Sequence, residues 1–148
     1  MTVSERSVWV QLFVMPLVAI AYFAVVLTRL ADEDVAEISW VVPMIWAIGI
    51  VVAGIIAGTI ASAIASAIAA AARGEEPELE EGDQRDKEIE RLGNQKGQFF
   101  TGIGTTAVIV LCMFRVDPFW IASTMFLAGI FAGVHGAIAK LRAYRRGF

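Results

Sequence analysis

His135 is the only histidine in the chain and Cys112 the only cysteine. These are the side chains best suited to proton transfer, nucleophilic attack or soft-metal ligation near neutral pH. One of each does not complete a zinc site, which takes about four protein ligands, unless a carboxylate or a second chain joins them. On a helix, His135 shares a face with Thr124 and Ala128, and Arg142 follows two turns later. His135 with Thr124 is therefore the candidate polar site. A proton relay or a ligand role is the chemistry it offers, because ionisable groups within apolar spans are often functional. The plainer reading is a hydrogen-bonded histidine at a membrane interface. Cys112 reads as a small apolar residue.

Hydroxyls are the next candidates. Thr101, Thr105 and Thr106, with Thr59, Ser62 and Ser66, can line a narrow polar path. The same hydroxyls can also bond to their own helix backbone. The chain has no phosphate-binding glycine loop, metalloprotease helix or serine-nucleophile elbow. Gly102-Ile103-Gly104 is a fragment of such a loop at most, and fits helix packing better. No Asp, Glu, Lys or Arg lies deep in an apolar stretch, which argues against proton-coupled transport. No catalytic residue, metal site or cofactor is expected, and the chain reads as non-enzymatic.

The elements that must position these residues are set by composition. Of 148 residues, 57% are hydrophobic and 18% charged, against about 45–50% and 25% for a soluble domain. That balance excludes a disordered chain, and the single cysteine excludes a disulfide-stapled one. The net charge of -3 excludes a basic nucleic-acid binder. Charge-free runs cover 8–28, 38–72, 97–114 and 118–139, and about 20 residues suffice to cross a bilayer core of about 30 Å. The predicted architecture is all-α: a polytopic membrane protein with four transmembrane helices at about 8–30, 40–72, 98–115 and 118–139, forming one domain over 1–148. The first run is too long for a secretory signal core and lacks a small-x-small cleavage site, so it reads as a retained anchor.

Every Lys and Arg except Arg29 and Arg115 falls on one side of a four-span topology. The positive-inside rule then puts both termini in the cytoplasm of a multi-pass cell-membrane protein. Trp9, Phe99, Phe100 and Tyr144 would mark the inner interface, and Trp40, Phe119 and Trp120 the outer one.

Helix two carries small residues at every fourth position through Gly54, Gly58, Ser62 and Ser66, with Ser39 as its expected cap and Pro43 in its first turn. Helix four repeats the device with Gly129 and Gly133, and with Ala128, Ala132 and Gly136. Such stripes let helices approach closely, either inside one bundle or across a homodimer. Asp117-Pro118 is a compact helix start that makes helices three and four an antiparallel hairpin.

The segment 73–97 reads as a cytoplasmic acidic loop followed by an amphipathic helix that precedes the third span. Asp83, Arg85, Asp86, Glu90 and Arg91 are its candidate partner-contact residues. Gly93 and Gly97 allow a kink or a close contact.

The runs 83–89 (DQRDKEI), 91–94 (RLGN), 118–122 (PFWIA) and 144–148 (YRRGF) resemble a family of small prokaryotic four-helix membrane proteins of unknown function. The resemblance covers about residues 80–148. An acidic residue is usual in that family where Gln84 stands, and its last helix often carries a carboxylate that this one lacks. The resemblance implies four spans and no particular activity. The leading expectation is a small integral membrane protein that contacts or regulates a cytosolic protein partner through the 73–97 segment. The alternative is a small oligomeric transporter or channel. The expected partners are the lipid bilayer, a second copy in a homodimer and that cytosolic protein, with no nucleic acid.

Overall fold

The computed structural model describes residues 3–31, 34–35, 37–72 and 84–146. They form four helices: α1 Val3–Leu30, α2 Val41–Ala72, α3 Gln84–Met113 and α4 Pro118–Arg146. All four are long and apolar enough to cross a membrane. At 1.5 Å per residue each is about 42–48 Å long, so all exceed the hydrocarbon core and continue beyond it or tilt.

Neighbouring helices run antiparallel. Val14 and Val10 of α1 lie against Gly54 and Gly58 of α2. Tyr22 of α1 meets Ser123 of α4, and Met15 lies against Gly133. Gly93, Gly97 and Gly104 of α3 lie against Gly136, Ala132 and Ala128 of α4. The packed pairs are α3 with α4, α1 with α2 and α1 with α4, so the order across the molecule is α2, α1, α4, α3. One end of the molecule gathers the start of α1, the end of α2, the start of α3 and the end of α4. The opposite end holds the α1–α2 and α3–α4 connections.

The densest apolar packing is at that opposite end, where Val18, Tyr22, Val26, Met44, Ala47 and Phe119 enclose one another. Phe119 is only 1% exposed and makes edge contacts with Trp40 and Trp120. It is therefore a core residue and not the interfacial anchor its position suggests. Burying such a ring contributes about 1.5–3 kcal/mol where water is the alternative.

Local chemistry explains the helix ends. Asp117 caps α4, its Oδ1 accepting from Phe119 N–H at 2.8 Å, with Pro118 in the first helical position where no N–H is needed. At the end of α3, Val116 N–H donates to Leu111 C=O and Arg115 N–H to Cys112 C=O. This reciprocal pair is the Schellman arrangement, and it requires Arg115 to take a left-handed backbone, φ 52°. Ser39 does not cap α2 as its type suggests. The helix opens at Val41 with Met44 N–H donating to Trp40 C=O, and the Ser39 carbonyl is taken by Arg29.

The cytoplasmic amphipathic helix expected to lead into the third span does not form an element of its own among the described residues. Residues 84–97 are the first turns of α3, which runs unbroken to Met113. Gly93 and Gly97 do not interrupt it, because α4 lies against both and offsets their weak helix propensity of about 1 kcal/mol each. The acidic loop of 73–83, including Asp83, lies outside the described residues.

Candidate functional site

Two features stand out at the end where the termini gather: a polar cavity and a charged helical face. The cavity lies where α1, α3 and α4 converge and has a volume of about 370 Å³. Its polar lining is Gln11 from α1, Asn94, Gln98 and Thr101 from α3, and Lys140 from α4. Asn94, Gln98 and Thr101 recur at four- and three-residue steps, which puts them on one face of α3. The backbones of α3 and α4 form the floor. A Cβ on Gly97 would lie 2.7 Å from the Ala132 carbonyl oxygen, and one on Gly136 would lie 2.9 Å from that of Gly93. The small residues thus bring the helices together and leave the longer polar side chains at the rim. The Lys140 stem crosses Gly93, which directs its ammonium along the cavity edge.

Sequence reasoning put Gln98 at the interface and Thr101 on a polar path, and joined neither to Gln11 or Lys140. The helical recurrence of Asn94, Gln98 and Thr101 was the available signal. What completes the group is the α1–α4 register, which depends on tertiary packing.

The charged face occupies the first turns of α3. Ile89 is fully buried, and Gly93 and Gly97 continue the buried stripe. Arg85, Lys87, Glu88, Glu90 and Arg91 are exposed. Asp86 lies on the packed side, half-buried and already engaged. Of the partner-contact candidates, Arg85, Glu90 and Arg91 are therefore accessible and Asp86 is half-buried.

His135 and Thr124 stand three turns apart, about 16 Å along α4. His135 is exposed and tilted against Phe100, ring centroids 4.2 Å apart, with Phe100 stacked on Phe131. Among the described residues no group of three His, Cys, Asp or Glu side chains could hold a metal.

Four of the six hydroxyls of the expected polar path turn back on their own helices, and Thr59 also pairs with Ser7 Oγ at 3.2 Å. Thr105 donates to Thr101 C=O, Thr106 to Gly102 C=O, Thr59 to Ile55 C=O and Ser62 to Thr59 C=O. The path would also join α2 to α3, which lie at opposite edges of the molecule. The buried hydroxyl pair is a different one: Tyr22 Oη and Ser123 Oγ, 3.3 Å apart.

The small-residue stripes are largely used within the chain. Gly54 and Gly58 receive Val14 and Val10, Gly133 receives Met15, and Ser62 is buried. Gly129 has open space beside it, and the side chain of Ser66 lies outside the described residues.

Arg145 lies over the Trp9 ring, 5.5 Å from its centroid, and the buried Trp9 Nε1 has no hydrogen-bond partner among the described residues. Towards the opposite end, an apolar groove of about 560 Å³ separates α1 from α2, lined by Val18, Val25, Val42, Trp46 and Ile50. Arg29 sits at its edge, donating to the Ser39 carbonyl at 3.2 Å.

No family model, curated protein or solved structure matches the chain.

Proposed function

We propose that this chain is a non-enzymatic, multi-pass protein of the cell membrane that docks a cytosolic protein partner on the first turns of α3. The observation that carries the reading is the continuity of α3. A charged, solvent-facing surface of Arg85, Lys87, Glu88, Glu90 and Arg91 belongs to the same helix that enters the membrane. Clamped along α4 through Gly93 and Gly97, that surface cannot move without moving the α3–α4 contact. A partner seated there would bias the packing of the pair, which is a means of regulation.

The bias of Lys and Arg supports a cytoplasmic location. Arg6, Arg85, Lys87, Arg91, Lys96, Lys140, Arg142 and Arg145 lie at the end where the termini gather, and Arg29 and Arg115 at the other. Cytoplasmic flanks carry such an excess.

Affinity capture of the full chain from its native membranes tests the proposal. The K87E/E88K/R91E variant should reach the membrane at normal levels and lose its partner. Identical partner sets from both chains would overturn the reading.

The polar cavity favours a second reading, a small oligomeric transporter. Solute flux in proteoliposomes that is abolished by blocking residues 94–101 would support it. Absence of flux for ions and common small solutes would dismiss it.

A further inference from the structure

We infer that the cavity between α1, α3 and α4 binds a phosphate group, supplied by the head of an anionic membrane lipid. This inference is independent of the partner proposed for the charged face.

Three observations converge. First, the lining is matched to an oxyanion. It offers the Lys140 ammonium, the carboxamides of Gln11, Asn94 and Gln98 and the Thr101 hydroxyl, and among the described residues no carboxylate. Ammonium and amide donors make short, charge-assisted bonds to phosphate oxygens. Second, these side chains are available. Lys140 forms no ion pair among the described residues, and none of the four neutral side chains has a hydrogen-bond partner among them. Third, the depth suits a lipid head. Lys140 is the first charged residue after the uncharged run of α4, and Gln98 stands at the start of the uncharged run of α3. That is the level of headgroups, where basic pockets between membrane helices receive lipid phosphates. The volume of about 370 Å³ falls in the range of about 300–1,000 Å³ typical of small-ligand sites.

The geometry assigns roles. Lys140 supplies the charge, held over Gly93 so that its head stays at the rim. Asn94 and Gln98 donate from one wall and Gln11 from the facing one. The acyl chains lie outside, along the apolar surfaces of α1 and α3.

The test uses the full chain, purified in detergent and stripped of lipid, with bound lipid read by native mass spectrometry. Phosphatidylglycerol should be retained over phosphatidylcholine by about tenfold, the ratio of one charge-assisted contact. Lys140→Gln should erase the preference and Lys140→Arg should keep it, with both variants retaining wild-type helicity and thermal midpoint. Asn94→Leu, at an exposed position, provides an independent reduction of about threefold or more. Displacement of the lipid by inorganic phosphate would assign the site to phosphate from either source, and its persistence would assign it to the intact lipid. Both results support the phosphate site. Equal retention of the two lipids by the wild type, or an undiminished preference in Lys140→Gln, would overturn it.

Discussion

At the scale of single residues, Arg115 holds the least comfortable backbone among the described residues. Its φ of 52° is left-handed, which costs a residue with a Cβ about 1–2 kcal/mol. The Schellman bonds it enables at the end of α3 hold it there. Arg115→Gly should therefore stabilise the protein by about 1 kcal/mol, read as a higher unfolding midpoint in a fixed detergent. Unchanged or lowered stability would mean that the arginine head makes a compensating contact. The two ends of the turn were unequally legible. Asp117-Pro118 announces a helix start by residue type, and Asp117 Oδ1 caps as expected. The stop at Arg115 carries no such mark, because the residue in the glycine position is an arginine. Ser39 was misleading for a different reason. Arg29 engages its carbonyl from the preceding helix, a contact between segments that no local pattern encodes.

Among the elements, the α3–α4 pair depends on backbone approach. Ala132 O lies 2.7 Å from where a Gly97 Cβ would be, whereas nothing lies within 4 Å of a Cβ on Gly102. Gly97→Ala should cost about 1–3 kcal/mol, because backbone on the facing helix must give way. Gly102→Ala should be neutral or stabilising by up to about 1 kcal/mol through helix propensity. Unfolding of both variants by a denaturing-detergent titration compares them directly, and equal effects would contradict the close approach. The spacing of glycines and alanines foretold intimate helix contacts, but not which helix fills each stripe. Gly54 and Gly58 are covered by valines of α1, and Gly93, Gly97 and Gly104 by the Ala128-Ala132-Gly136 stripe of α4. Small-residue periodicity marks a surface that admits a neighbour; the shape of the neighbour decides the match. The same limit applied to residues 84–97. Their charge pattern revealed a helix, while its fusion with the third span depends on α4 supporting Gly93 and Gly97.

For the whole molecule, four helices long and apolar enough to cross a membrane were legible because charge placement and apolar run length fix them almost alone. The adjacency of the helices was not. It follows from the α1–α4 interface, where Tyr22 and Ser123, each 3% exposed, pair across a seam also packed by Phe126. Tyr22→Phe keeps the ring contacts and removes the hydrogen bond. It should lower stability by about 0.6 kcal/mol, the usual worth of such a bond between membrane helices. Thermal unfolding under matched lipid-to-detergent ratios measures this, and a loss above about 2 kcal/mol would show that the hydroxyl does more than pair. The order α2, α1, α4, α3 makes the protein two antiparallel hairpins joined along one seam. Each hairpin is contiguous in the chain, so the first can be complete before the second has left the ribosome. The α1 face bearing Gln11 and Tyr22 then stays uncovered until α4 arrives. During synthesis, the polar cavity and the Tyr22–Ser123 pair are thus the last parts of the molecule to come into being.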